Sequence, residues 1–246
     1  MDKKLYKIVN KSNNKYLILL KKNVEKKIKK LIPKFNNNLS ELHNFISTSQ
    51  INNIRLKCYS HINTKVNWQK IIQNICIKEV KEILGPDILI QTKLNLSIQM
   101  PNDETSLLPI HSDSWSSDTP FQINLWIPLT NAFDSNSMFL INPKKSLQSF
   151  KKIIKTKNIN FYKPKKKEFL NIKFGQILFF NPALLHGNIK NRTNRTRVSL
   201  NIRFKSLFCP EPKNKADRKF GTYYKKFIIS ENTKFGTEIL NIGMLK

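Results

Sequence analysis

Acidic residues are scarce in this chain. Sixteen Asp and Glu stand against 44 Lys and Arg, a formal charge of +28 over 246 residues. Arginine is scarce as well: only Arg55, Arg192, Arg195, Arg197, Arg203 and Arg218 contribute to that excess, and the rest is lysine. Arginine is the side chain suited to bidentate phosphate and base contacts. A lysine-dominated charge therefore reads first as the product of an AT-rich coding sequence, which also explains the heavy use of Asn and Ile. It stays compatible with a polyanionic or phosphorylated substrate. Six glycines exclude fibrous and low-complexity classes. Three cysteines, Cys58, Cys76 and Cys209, are too few and too widely spaced for a disulfide framework or a zinc motif, so a reducing cytoplasm is the expected location. No apolar run is long enough for a signal peptide or a membrane span, Leu17 to Leu20 being the nearest approach. The Asn-Arg-Thr triplets at Asn191 and Asn194 are then ordinary loop residues rather than glycosylation sites.

What is present supports a folded protein. Hydrophobic residues make up 39% of the chain and aromatics 10%, enough for one sizeable core. A single domain over 1–246 is expected, with a mainly helical part at 1–87, a β-core at 88–210 and a basic segment at 211–246. In the first part, Leu19 to Ile32 carries apolar residues at three and four spacing until Pro33. Ser40 opens a short helix through Phe45, and Val66 to Leu84 presents a broad apolar face that Gly85-Pro86 ends. From Ile88 the period becomes two: Leu94, Leu96, Ile98 and Met100 alternate with polar residues, as does Phe121 to Pro128. Further strands are expected at Met138 to Ile141, Ile172 to Ile177 and Val198 to Phe204. Pro143-Lys144-Lys145-Ser146 reads as a turn, Lys163 to Lys167 as a solvated loop, and the tail beyond Pro210, with Phe220, Tyr223, Tyr224 and Phe227, as a cap or arm. The pattern is helices followed by many short strands, mainly β with α.

Three signals carry chemistry. His111-Ser112-Asp113 places an imidazole and a carboxylate on one face of an extended segment. Alone this is weak, since such a pair is usually a structural hydrogen bond. His186 follows an apolar strand entered through Gly175 and a turn at Asn181-Pro182, 75 residues after His111. Two histidines and one carboxylate bind one face of an octahedral iron and leave three positions open. Arg197 lies eleven residues beyond His186 and shares a face with Ser199, a guanidinium and hydroxyl suited to one carboxylate. His43 and His61 fall in the helical part as ordinary polar residues.

In this order the motifs resemble the 2-oxoglutarate/Fe(II) dioxygenases, and most closely the phytanoyl-CoA-dioxygenase-like branch. Within it the chain is similar to small oxygenases of carbohydrate biosynthesis, the streptomycin-biosynthesis StrG-like group. The resemblance runs from about Leu94 to Pro210 and includes the block Pro120 to Leu129, Asn136-Ser137-Met138 and Arg197 to Lys205. The chain departs from the pattern at Gly175-Gln176, where Gly-Asp is common, and at Pro143 to Ser146. The resemblance implies a double-stranded β-helix, a cupin-like jelly roll with the N-terminal helices packed on it. It implies Fe(II), 2-oxoglutarate and O2 as cofactor and cosubstrates, with His111, Asp113 and His186 on the metal and Arg197 and Ser199 on the far carboxylate of 2-oxoglutarate. The implied reaction hydroxylates a carbohydrate or another small biosynthetic intermediate and releases succinate and CO2. Asn124 and Gln99 are further candidates for the cosubstrate, and Trp115, Trp126, Gln122 and Arg203 for the substrate pocket.

Two other readings fit parts of the sequence. Arg197 and Arg203 enclose five residues, like the Arg pair of AlkB-like nucleic-acid dealkylases, and the net charge agrees. The 11-residue step from His186 to Arg197 is short for that family, and the Phe121 to Leu129 block fits the phytanoyl-like branch better. A non-catalytic basic binding protein on a relic jelly roll is the other, which stoichiometric iron and succinate release would exclude; a metal-free cupin-like isomerase leaves the Arg-x-Ser unexplained.

Overall fold

The computed structural model describes residues 3–116, 118–156, 168–211 and 218–241. Three helices pack on one face of a large antiparallel sheet. They are α1 (Lys15–Leu31), α2 (Thr48–Lys65) and α3 (Trp68–Leu84). Each buries one stripe. Leu17, Leu20, Val24 and Ile28 face inward on α1, and Ile51, Ile54, Cys58 and Ile62 on α2. Asn14 caps α1 by accepting from the Tyr16 and Leu17 N–H groups, and Asn67 caps α3 from Lys70 N–H. Gly85 ends α3 at φ +86°.

The sheet is built from β1 (Tyr6–Asn10), β2 (Ile88–Gln91), β3 (Asn95–Gln99), β4 (Ile123–Pro128), β6 (Gln176–Phe180), β8 (Arg197–Ser206) and β9 (Tyr224–Ile228). A second, two-stranded sheet pairs β5 (Phe139–Leu140) with β7 (His186–Gly187). In the large sheet the order is β1-β6-β4-β8-β2-β9, and β3 also pairs with β8. The ten-residue β8 is its spine: β4 runs along one edge, while β2 and β3 share the other. Alternation then sorts every side chain. Val198, Leu200, Ile202 and Phe204 join Leu125, Ile127 and Phe179 against the helices. Arg197, Ser199, Arg203, Asn124 and Trp126 occupy the opposite face, toward the small sheet. This is a mixed α/β architecture with a large antiparallel sheet, consistent with the cupin-like jelly-roll core that the resemblance implies; the sheet does not close into a barrel.

Several local expectations need correction. A strand, β1, precedes the helices, and α2 is a full helix where no periodicity was evident; its buried positions include Cys58, and its exposed positions include Leu56. Pro143 to Ser146 is not a turn but the first turn of α4 (Pro143–Thr156). Proline suits that position because its missing N–H would have no helical partner there. The strand expected at Ile172 to Ile177 begins at Gln176, Ile172 making only an isolated bridge to Ala132. The tail is no loose arm: β9 is an edge strand on β2, followed by α5 (Glu231–Asn241). Lys163 to Lys167 lies outside the described residues. No disulfide joins Cys58, Cys76 and Cys209, and burial pushes the Cys58 thiol up to about 12, which keeps it protonated.

Gly175 turns the chain into β6 at φ +98°, and a Cβ there would stand 2.9 Å from Ser12 Cα. Gly175→Ala is expected to lower stability by about 2 kcal/mol. Gly236→Ala, in the open middle of α5, should raise it or leave it unchanged. Urea midpoints of the two variants test the contrast.

Candidate metal centre

An antiparallel backbone pair brings the two histidines together. His111 N–H donates to His186 O at 2.9 Å, and His186 N–H returns to His111 O at 2.8 Å. The chain is tied again two residues on, where Asp113 N–H donates to Pro182 O at 3.1 Å and Ser112 Oγ donates to the same carbonyl. His111 and Asp113 therefore keep the shared face expected of an extended segment, and a short 3-10 turn follows from Asp113. The imidazoles stand 4.3 Å apart between centroids. Asp113 Oδ1 lies 3.6 Å from His111 Nε2 and 3.9 Å from His186 Nε2. One ligand atom from each of the three residues lies within 4.8 Å of the others.

The tautomers follow from the partners. His111 Nδ1 lies 2.8 Å from Pro109 O, and His186 Nδ1 lies 2.9 Å from Leu184 O. A carbonyl only accepts, so each Nδ1 carries a proton, and each Nε2 is the atom that faces Asp113. Gly187 makes this possible: a Cβ there would stand 2.8 Å from Leu108 O and 3.1 Å from Pro109 O. Burial lowers the His186 pKa to about 4 despite the opposing charge of Asp113. Burial alone would raise Asp113. The bond to His111, with Arg203, His186 and Asn124 behind it, holds the carboxyl well below the usual range instead. His111 moves the other way: burial opposes the charged ring, but the bonds to Asp113 and Pro109 O outweigh it and raise its pKa. Two imidazoles whose Nε2 atoms converge on one carboxylate are the donor chemistry that suits a non-haem ferrous ion.

The second oxygen of Asp113 is fully engaged. Asn124 Nδ2 donates to Oδ2 at 2.6 Å and Arg203 Nη2 at 3.0 Å. Arg203 also pairs through Nε with Asp118 at 3.2 Å, and Asp118 in turn pairs with Arg218. Asp118, Arg218 and Tyr223, which bonds Arg203 at 3.3 Å, were not anticipated from the sequence. Asp118 meets Arg218 across 100 residues of chain and Arg203 meets Tyr223 across 20, and no local motif marks these pairs.

Arg197 is buried on the same sheet face and meets only neutral groups. It donates to Asn136 O (3.1 Å), Ser97 Oγ (3.2 Å), Ser199 Oγ (2.7 Å) and Gln99 Oε1 (2.9 Å). No described carboxylate pairs with it, and burial lowers its pKa to about 10. A cavity of about 840 Å³ is lined by the triad and by Arg197, Ser199, Trp126 and Arg203.

Trp126 lines the cavity as expected, while other sequence candidates are engaged differently. Asn124 is a partner of Asp113 rather than a free amide for the cosubstrate. Gln99 lies behind Arg197 and donates to Ile189 O at 2.6 Å. Gln122 accepts from Tyr224 Oη at 2.7 Å and does not line the cavity. Trp115 packs edge-on to Phe150 at 6.0 Å, also away from the cavity. Arg203 lines the cavity, but its guanidinium is taken up by Asp113 and Asp118. Asn201 and Ser97 are cavity residues that sequence reasoning missed, although the alternation of β3 and β8 placed them on the correct face.

His111→Ala and His186→Ala are expected to abolish tight Fe(II) binding. Asn124→Ala, which removes one of the two donors to Asp113 Oδ2, should weaken it about tenfold or more. Anaerobic metal titrations would measure both effects.

The model of the family Phytanoyl-CoA dioxygenase (PhyH) matches residues 22–199. No curated protein matches the chain in sequence. Among solved structures it is similar to a non-heme monooxygenase, the ThoJ–Ni complex, at TM-score 0.53 and 13% identity over 94% of this chain and 83% of that one. The non-heme alpha ketoglutarate dependent epimerase SnoN from nogalamycin biosynthesis aligns at TM-score 0.52 and 12% identity, over 92% and 95%. HygX from Streptomyces hygroscopicus with nickel and 2-oxoglutarate bound aligns at TM-score 0.50 and 11% identity, over 94% and 96%. At these identities the neighbours establish the fold, while the family match spans well over half of the sequence. The chain belongs to the phytanoyl-CoA dioxygenase family and is an iron(II)- and 2-oxoglutarate-dependent dioxygenase.

Proposed function

We propose that this dioxygenase oxidises a carbohydrate or another polar small-molecule biosynthetic intermediate, with His111, Asp113 and His186 holding iron and with Arg197 and Ser199 receiving the far carboxylate of 2-oxoglutarate. The observation that carries the site assignment is Arg197. A buried cation without an anion is costly, and this one lines the same cavity as the triad. The dicarboxylate supplies the missing charge. The HygX structure, which holds nickel and 2-oxoglutarate on a similar fold, supports 2-oxoglutarate as that dicarboxylate.

Iron and 2-oxoglutarate, when bound, would let O2 oxidise the substrate, one oxygen atom going to succinate and CO2 being released. The protein's own groups hold and orient. Asn124 and Arg203 restrain Asp113 so that Oδ1 faces the histidines. Gln99, Ser97 and the Asn136 carbonyl fix the plane of the Arg197 guanidinium. The cavity volume falls within the usual range for small-molecule sites, about 300 to 1,000 Å³. A cross-strand row fits a hydroxylated substrate: Asn201 pairs with Asn95 on β3 and with Trp126 on β4, and all three line the cavity. Asn201 Oδ1 is buried without a protein partner, an acceptor left for a ligand hydroxyl, and the indole offers an apolar face to a sugar ring. We take 1–246 as one oxygenase domain, because β1 and β9 from the two ends of the chain complete the same sheet. A nucleic-acid substrate is less favoured, since Arg203 is occupied by carboxylates.

Anaerobic addition of iron(II) and then 2-oxoglutarate is expected to give the visible chelate absorption band. Arg197→Ala should raise the 2-oxoglutarate requirement at least about tenfold while iron affinity is kept, and Arg197→Lys should recover part of the loss. Wild-type turnover at low 2-oxoglutarate in the alanine variant would reject this role. Succinate release across a panel of sugars, glycans and methylated oligonucleotides then separates the substrate classes.

A further inference from the structure

Helix α2 contributes a polar stripe to the cavity. Asn52, Arg55 and Tyr59, spaced by three and four, all line it. Arg55 is half-buried, and its guanidinium donates to Asn52 Oδ1 at 2.7 Å. No described carboxylate pairs with it. The chain has six arginines, and three of them, Arg55, Arg197 and Arg203, line this one cavity, whereas no described lysine does. In a chain whose positive charge is overwhelmingly lysine, that concentration sets the cavity apart from the general basic surface.

The charges can be followed one by one. Arg203 is matched by Asp113 and Asp118 together. On the reading above, the metal dication is matched by the dianionic cosubstrate, whose far carboxylate meets Arg197. Asp113 is the sole described acidic residue of the lining. Asp113 and Asp118 are taken up by Arg203 and Arg218, so neither carboxylate is left for Arg55, which stays without an anionic partner among the described residues.

We propose that the substrate of this enzyme carries an oxyanion, a phosphate or a carboxylate, and that Arg55 seats it. This rests on the iron and 2-oxoglutarate reading and narrows its substrate class to anionic polar molecules. A planar guanidinium grips two oxygens of such a group at once, and the neighbouring Asn52 keeps it aimed. Arg55 thereby fixes which end of the substrate faces α2 and which part meets the triad.

Nickel(II)- and 2-oxoglutarate-loaded protein, titrated calorimetrically with glucose 6-phosphate, glucuronate and glucose, tests the assignment. The probes share a pyranose ring and differ in charge. At least one charged sugar is expected to bind about tenfold tighter than glucose, and the better of the two identifies the oxyanion. Arg55→Gln should erase that margin, and Arg55→Lys should keep part of it. Lys57→Gln, on the same helix but outside this cavity, should retain it in full. Equal binding of glucose, no binding by either charged sugar, a margin that survives Arg55→Gln, or a margin lost equally in Lys57→Gln would each overturn the proposal. Absence of 2-oxoglutarate heat in the loading step would overturn the cosubstrate reading and this inference with it. Normal loading without a charge margin would overturn this inference alone.

Discussion

Everything at the metal centre depends on the two reciprocal backbone hydrogen bonds between His111 and His186. They set residues 75 positions apart directly opposite each other, so both imidazoles rise from one small patch of sheet. The same device then orients each ring, because each Nδ1 donates to the carbonyl two residues earlier, Pro109 in one strand and Leu184 in the other. Orientation by backbone rather than by mobile side chains fixes where each Nε2 points. The arrangement demands a residue without Cβ beside His186, and Gly187 meets that demand.

Two buried arginines on one face of β8, with five residues between them, show how charge divides structure from reception. Arg203 is matched by carboxylates. Burial alone would lower its pKa, yet Asp113, Tyr223 and Asp118 hold it above its ordinary value. Arg197 is matched by hydroxyl, amide and carbonyl oxygens, and burial lowers it. The first belongs to a finished network running from Asp113 through Asp118 to Arg218, so the C-terminal part of the chain braces a metal ligand. The second is held in shape but not neutralised, which is the condition of a group awaiting an anion.

What the sequence made legible is what has a short period or a short motif. Alternation in 94–100 and 121–128 located two central strands and their faces, so Arg197, Ser199 and Trp126 were placed correctly on one side. Spacing and residue type picked out the triad. What stayed hidden depends on long-range partners. Asn124 and Gln99 were on the right face, but their amides are used by Asp113 and Arg197, and alternation says which way a side chain points, not what it meets. Helix α2 was missed because polar Asn, Ser and Lys residues break up its stripe, and only the sheet beneath shows that Ile51, Ile54, Cys58 and Ile62 are its buried edge. Pro143 misled because proline marks a helix start as readily as a turn.

The basic composition and the arginine-lined cavity act at different ranges. A field from a net charge of +28 draws any anion toward the protein, but at physiological salt it fades over about 8 Å. Such a field distinguishes a dicarboxylate from a sugar phosphate no better than from bulk chloride. Selection therefore has to come from groups whose geometry is fixed by hydrogen bonds to their neighbours. Arg197, four times hydrogen-bonded on the sheet, and Arg55, tied to Asn52 on the helix, are such groups, and they lie on different walls of the same space. Two anion-directed guanidiniums on separate elements suit two different anions bound together, a cosubstrate on the sheet side and a charged substrate on the helix side, with the triad reached from the same space.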